Sequence, residues 1–395
     1  MNDLQVEVTS RRRVPDPVRC ALFGKAPELG PKILFFSGGS ALRDLSSRLI
    51  RFTHNSIHVI TPFDSGGSSA ELRRAFSMPA VGDIRNRLVA LADRGVRGNP
   101  GICNLLSYRL PDSAVRSELI RELDAMRSGS HPLMGRICPQ AAEIIRHHLD
   151  IFVSNMPADF TLRGASVGNL VLTGGYLEYG RQLDPVIHLY SRLAEVRGLV
   201  RPVVGEDLHL AAELDDGTVV AGQHRITGKG CMPPDRPIKR VFLVEGVKAL
   251  KEASAYISSD LAEAIIGADL ICFPMGSFFT SLLPNLLPDG VAQAVAEARC
   301  PKLHVPSTFP DPETRGWTLM ERIEELARIL EAGAGEGKVL DFLVMDLKNG
   351  DYRSELDMDR LAQLGLKVLD LPIASPRSPH RIEPEALVQV LLSLC

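Results

Sequence analysis

Three stretches of the chain place glycines, hydroxyls and acids directly after a short apolar run. The first is Ser37-Gly38-Gly39-Ser40, which follows Lys32-Ile33-Leu34-Phe35-Phe36 and precedes leucines 42, 45 and 49 at helical spacing. Glycine permits positive φ and close backbone approach, and consecutive amides opening a helix can cradle phosphate oxygens. The spacing is not G-x-G-x-x-G, so no dinucleotide fingerprint is read, and any tight turn between strand and helix also favours Gly and Ser. The second is Thr61-Pro62-Phe63-Asp64-Ser65-Gly66-Gly67-Ser68-Ser69. Asp64 at a strand's carboxyl edge suits Mg2+ bound through one oxygen with waters completing the shell, and Gly66, Gly67 and Ser68 suit wrapping a ligand. Capping the next helix would need only one Ser or Asp, so the excess favours a functional role. The third is Gly82-Asp83-Ile84-Arg85-Asn86. Arg85 and Asn86 can face a ligand and Asp83 is a candidate base, although a capping Asp beside a solvent-facing Arg is the plainer account of this string alone.

Two further segments repeat the pattern. Ser166-Val167-Gly168-Asn169 opens a helical run, with Ser166 as N-cap and Gly168 allowing close packing or ligand approach. Pro274-Met275-Gly276-Ser277-Phe278-Phe279-Thr280-Ser281 again leaves an apolar run and carries small polar residues into a helix. In an open α/β sheet, loops at the carboxyl ends of strands meet in one crevice, so several such loops point to a shared site. Trp317 can stack on a base or sugar, or plug an apolar seam. His147-His148 lacks metal spacing, His304 reads as a core or edge histidine, and no G-x-S-x-G elbow is present.

The elements that must position these loops are short apolar runs at residues 32–36, 57–60, 150–154, 240–244, 268–273, 302–306, 339–345 and 366–371. Helix-like segments such as 290–298 and 318–330 separate most of them. This alternation predicts an α/β fold with a doubly wound, mostly parallel, Rossmann-like sheet. Residues 84–148 read as a helical insertion, and 208–220 as a β-hairpin turning at Asp216-Gly217. Residues 1–30 read as a flexible or surface-draped extension, and 332–337 (AGAGEG) as a surface loop. Loops from residue 37 to residue 281 must converge on one crevice, so residues 31–395 are expected to form a single domain.

Composition narrows the function. The 395 residues are 45% hydrophobic and 24% charged, which excludes disorder as the dominant state. The net charge is 45 − 48 = −3, with no overall basic footprint for nucleic acid. Only 10 of the 45 basic residues are lysine, and none lies between Lys32 and Lys229. A Walker loop needs G-x-x-x-x-G-K-[ST], and no such string occurs. A phosphate site in the first half must therefore use backbone amides, arginine or metal. Nine arginines against five acids from Arg43 to Arg97 give a local excess of 9 − 5 = +4, which favours anionic ligands, although Arg94 and Arg97 read as a solvated helix face. Seven scattered cysteines without C-x-x-C suggest neither a disulfide framework nor a zinc site. Arg11-Arg12-Arg13 is followed by no apolar run, and the longest uncharged stretch, 270–288, is broken by Pro and Gly. A soluble cytoplasmic protein without membrane or nucleic-acid partners is expected.

SGGSALRDL resembles the phosphate loop of the 2-phospho-L-lactate transferase (CofD-like) superfamily, and TPFDSGGSSAELR with MPAVGDIRNRLVALAD resembles its second and third signatures. LRGASVGNL, LAAELDDGTVVAG and MGSFFTSLLPNLL are similar to further strings of its gluconeogenesis-factor (YvcK-like) branch, and PETRGWT to a string that places Trp317 at an aromatic facing nucleotide sugar. The resemblance runs from about residue 31 nearly to the C-terminus. It implies a Rossmann-like fold with a nucleotide-diphosphate crevice and Asp64 at the position that holds Mg2+. It further implies either phosphoryl-type transfer, as of 2-phospholactate from a guanosine-diphosphate donor, or non-catalytic binding of UDP-sugars by a metabolic regulator. The chain departs from the pattern at Ser40, where Thr is usual, at 273–276, and in added material at 1–30 and 245–267. The expected site is then Gly38, Gly39, Ser40, Gly66, Gly67, Ser68, Arg85, Asn86, Ser166, Gly168, Asn169, Gly276, Ser277 and Trp317 around the ligand. Asp64 holds metal, and Asp64 and Asp83 act in catalysis. The expected ligand is a nucleotide diphosphate or nucleotide sugar, and a homodimer is the oligomer considered.

Overall fold

The protein is described here by a computed structural model covering residues 11–395 apart from 96, 97, 230, 309, 310, 336 and 353–355. Among these residues a seven-stranded parallel sheet forms the centre. Its strands are β1 (Ile33–Ser37), β2 (Ile57–Ile60), β3 (Leu199–Pro202), β7 (Leu270–Phe273), β8 (Lys302–His304), β9 (Phe342–Met345) and β10 (Lys367–Asp370). A smaller antiparallel sheet holds β4 (His209–Leu214), β5 (Val219–Ala221) and β6 (Ile238–Val244), and β11 (Ala374–Ser375) pairs with β12 (Ser378–Ile382) as a hairpin.

β1 is apolar at consecutive positions because helices cover both sheet faces. Ile33 and Phe35 pack on one side with the helices Arg43–Leu49 and Pro384–Leu394. Leu34 and Phe36 pack on the other with Ser259–Ile266, Val291–Glu297 and Leu319–Ala332. Phe36 stacks on Phe273 of the neighbouring strand at 5.5 Å.

The strand order is β10-β9-β8-β7-β1-β2-β3. The chain winds outward from β1 through β2 to β3, then returns to the other flank of β1 and continues from β7 to β10. β1 and β7 thus border the point where the winding direction reverses, and there the loops leaving adjacent strands diverge and open a crevice.

Several sequence expectations need correction. Residues 150–154 are not a strand; they end the helix Pro139–Asn155, whose buried Leu149 and Phe152 continue the 3-4 spacing of Ile145 and His148. The run 240–244 is a strand, but it pairs antiparallel with β4 outside the parallel sheet. The helical region does not stop at 148; it continues through Val167–Glu178 and Leu183–Leu193 before β3, a short edge strand without a sequence signal, joins β2. Nor is the N-terminal segment loose beyond residue 16. Pro17–Lys25 is a helix capped by Asp16, whose own amide donates to Ser393 in the C-terminal helix, and Cys20 is buried. Residues 1–10 lie outside the described residues.

Candidate functional site

The loop after β1 lies at the centre of the site. Its conformation is held by Arg87, whose helix Gly82–Leu91 runs beneath it. The fully buried guanidinium donates to the carbonyls of Gly38 (2.9 Å) and Leu42 (3.1 Å) and to the hydroxyls of Ser37 (3.3 Å) and Ser46. Burial lowers its pKa to about 10, and Asp83 partly offsets that effect. Asn285 adds a second tie, donating to the carbonyls of Ser37 (3.2 Å) and Ser281 (2.8 Å).

Asp83, from the first turn of the same helix, lies against the glycines. A Cβ on Gly39 would run into its Oδ1 and lie 2.6 Å from its Cγ; one on Gly38 would meet Ser281 Oγ at 2.7 Å and Asp83 Oδ2 at 3.5 Å. Both glycines are therefore required by close packing of a carboxyl on the loop, as well as by any ligand. Burial and then the nearby Asp64 carboxylate push the Asp83 pKa up to about 6; the Gly39 amide, Arg87 and Lys229 act in the opposite direction.

Asp64 leaves β2 on the flank of this pair. Its Oδ1 accepts from the Gly66 amide at 3.1 Å. Its Oδ2 approaches Gly82, where a Cβ would lie 3.4 Å from that oxygen, 2.7 Å from Ser69 Oγ and 3.7 Å from Asn169 Nδ2. Gly66 caps the helix Gly67–Phe76, and Gly67 has φ +51° with open space where a Cβ would be. Buried Arg73 anchors the loop from behind, donating to Phe63 O (3.3 Å) while paired with Asp207 (2.7 Å).

The remaining predicted residues on this flank interact mainly with one another. Arg85 does not project into the crevice as a free cation. Its Nη atoms donate to Ser166 Oγ and, at 2.6 Å, to Asn86 Oδ1, and burial lowers its pKa to about 10. Ser166 caps the helix Val167–Glu178 as expected. Gly168 is required because a Cβ would strike Leu106 O and lie 2.8 Å from Arg85 Cδ, so helix packing is sufficient to explain it. Asn169 donates to Ser68 Oγ at 2.9 Å, while its buried Oδ1 has no hydrogen-bond partner among the described residues.

On the opposite flank, Gly276 and Ser277 lead into one π-helical turn, Phe278–Leu282. π turns are often found at functional sites. Gly276 has φ +147° and a Cβ there would lie 3.3 Å from Ala41 Cβ. A cleft of about 490 Å3 opens between this loop and the β1 loop, lined by Gly38, Ser40, Gly276, Ser277 and Ser281 and walled by His380 and Arg381 of the β11–β12 hairpin. Behind the π turn, Thr280 Oγ1 donates to buried Glu313 at 2.6 Å; burial and neighbouring Asp311 hold the Glu313 carboxyl well above the usual range. Trp317 is half-buried in a seam, edge-on to Phe279 at 5.4 Å and donating to Ile238 O at 2.7 Å. That is the plugging arrangement, and Trp317 is not among the residues that line the cleft.

Arg87, Asn285, His224, Lys229 and the β11–β12 hairpin were not found by sequence reasoning. Arg87 carried no signal distinguishing it from ordinary helix residues, Asn285 stood at the end of the 274–285 motif without an assigned role, and the others lie outside the glycine loops. As for Mg2+, no cluster of three His, Cys, Asp or Glu side chains suited to a metal occurs among the described residues. Mg2+ is commonly held by one or two carboxylates, with waters and substrate phosphates filling the octahedron. The hard carboxylate of Asp64, with Asp83 close beside it, suits that donor set.

The family described as 2-phospho-L-lactate transferase CofD matches residues 33–374. A Nostoc sp. relative is 29% identical over 385 residues, 92% of this chain and 68% of that protein. A gluconeogenesis factor of Bacillus subtilis is 29% identical over 305 residues, 77% of this chain and 76% of its own. One of Halalkalibacterium halodurans is 28% identical over 314 residues, 79% and 76% respectively. Two crystal structures of a Bacillus halodurans protein, one described as a member of the UPF0052 family, share the fold with TM-scores of 0.66 and 0.64 at 24% identity, each covering 92% of this chain and 99% of that one. With a family match that spans β1 to β11 and includes every glycine loop of the crevice, the chain belongs to the CofD family.

Proposed function

We propose that this protein binds a nucleotide diphosphate or nucleotide sugar in the crevice between the β1 and β7 loops, with Mg2+ held through Asp64, and transfers a phosphorus-containing group to a small-molecule acceptor in the cytoplasm. The observation that carries the reading is a pair of neighbouring carboxylates: Asp83 lies against Gly38 and Gly39 of a loop suited to phosphate, and Asp64 lies beside Gly66 and Gly82, close enough to raise the Asp83 pKa. Two acids beside an anion loop are mutually unfavourable without a cation, and Mg2+ held by Asp64 would supply the positive charge that relieves the conflict.

In this reading the backbone amides of 38–40 orient the diphosphate, and Ser40, Ser277 and Ser281 hydrogen-bond the donor in the cleft. Asp64 is the protein's metal ligand. Asp83, whose pKa of about 6 leaves it able to take up a proton near neutrality, accepts the proton of the acceptor hydroxyl as that oxygen bonds to the transferred phosphorus and the phosphorus–oxygen bond to the nucleotide breaks, the nucleotide leaving as its monophosphate. Bound Mg2+ would neutralise phosphate charge, which together with positioning supplies most of the catalysis in phosphoryl transfer. A second reading, a non-catalytic nucleotide-sugar sensor, is favoured by the gluconeogenesis-factor relatives. Thermal-shift screening of GDP, UDP and sugar nucleotides with and without Mg2+, followed by turnover assays on the hits, tests both. Mg2+-dependent binding with turnover supports transfer, and binding without turnover for any acceptor supports the sensor. If no nucleotide binds, both readings fail.

A further inference from the structure

The segment from Gly222 to Lys229 leaves the small antiparallel sheet and bridges two loops of the crevice. Gln223 Nε2 donates to Thr280 O in the π turn at 3.0 Å. The next residue grips the β2 loop: the His224 amide donates to Ser65 Oγ at 3.2 Å, and that hydroxyl lies 2.8 Å from His224 Nδ1. Beyond this grip, the Lys229 amide donates to His224 O at 2.9 Å, and the lysine stem extends back over the β2 loop, with Cδ 3.9 Å from the Cβ position of Gly66. Lys229 is exposed and makes no ion pair among the described residues, although it lies within electrostatic reach of Asp83.

We infer that Lys229 is a phosphate ligand of the crevice, delivered across the β2 loop by the Ser65–His224 contact. The inference rests on the diphosphate reading above and names the residue that completes it. No lysine follows Lys32 until Lys229, so the glycine loops of the first half carry none of their own, and the one whose stem lies over Gly66 arrives from the second half. An ammonium is a compact point charge with three donors and binds phosphate without the planar demands of a guanidinium. Ser65 and His224 are positioning residues that fix where this charge sits.

Calorimetric titration of the full chain with inorganic pyrophosphate, GDP and UDP, each with Mg2+, tests this. Lys229→Gln should weaken binding about 10- to 100-fold, the range for a hydrogen bond to a charged group, with an unchanged melting temperature because the side chain is exposed. Lys229→Arg should recover most of the loss. His224→Ala should also weaken binding, but should add nothing in the Lys229→Gln background; a purely structural role would give additive losses. If Lys229→Gln binds whichever of the three probes the wild type binds just as tightly, the assignment of Lys229 is overturned and the diphosphate reading stands. If the wild type binds none of them, both fall.

Discussion

The carboxyl of Asp83 fills the space that a side chain on Gly39 would occupy. A Cβ at that position would lie 2.6 Å from Asp83 Cγ and 2.9 Å from its Cα. Because the clash reaches backbone, a change of rotamer cannot relieve it, and the loop and the helix Gly82–Leu91 must keep their approach for the site to exist.

Gly39→Ala should therefore cost about 1–3 kcal/mol, the usual range for overpacking, and abolish Mg2+-dependent nucleotide binding by displacing Asp83. Gly38→Ala should cost less, since its nearest neighbour would be the movable Ser281 hydroxyl. Denaturant unfolding of the two variants gives the ranking; equal losses would argue against close Asp83 packing.

Asp83 also makes stability depend on pH. Its folded pKa of about 6 is above the ordinary carboxyl value of 3.8. The folded state thus binds the proton more tightly, so this contribution is complete below about pH 4 and is lost as pH rises through about 6. In metal-free buffer, Asp83→Asn should flatten the melting curve across that window and melt above wild type at pH 7–8. Parallel curves from pH 4 to 8 would show that Asp83 is not perturbed.

Arg87 holds four acceptors of the β1 loop from a fully buried position. Arg87→Leu leaves those acceptors unsatisfied and should destabilise the fold by about 3 kcal/mol or more. Arg87→Lys keeps the charge but loses the planar fork and should recover only part of this. Urea midpoints of both variants decide it: a change under 1 kcal/mol for Arg87→Leu would contradict the anchoring role.

Asp64 is the proposed metal ligand, with its Oδ1 already bonded to the Gly66 amide and its Oδ2 directed past Gly82. Asp64→Ala should remove the additional thermal stabilisation that Mg2+ provides to the nucleotide complex, leaving the metal-free shift in place. Retention of the full Mg2+ increment would exclude Asp64 as its ligand.

Much of this architecture was legible along the chain. β2 lies where the apolar run 57–60 placed it, and the hairpin turning at Asp216-Gly217 forms as Asp-Gly chemistry requires. The misread segment 150–154 shows the limit: three apolar residues in a row, 151–153, have no period of their own, and only their place at the end of a long amphipathic helix identifies them.

The residues of the loops were equally visible, but their roles were not. Gly168 suited close packing or ligand approach, and it packs on Leu106 and Arg85; Arg85 suited a ligand contact, and it is bonded to Ser166 and Asn86. A helix start that exposes polar groups and one that buries them in a network have the same local spelling, because burial depends on which helix packs alongside.

From sequence alone, then, come the covered strands, the glycine loops at their carboxyl ends and the absence of a lysine between Lys32 and Lys229, since hydrophobic period and backbone freedom are local properties. Tertiary structure alone decides that β7 returns beside β1, that Asp83 closes on Gly39, and that Lys229 arrives over Gly66. Strand order and helix packing bring together residues far apart in the chain, and no local spacing encodes that distance.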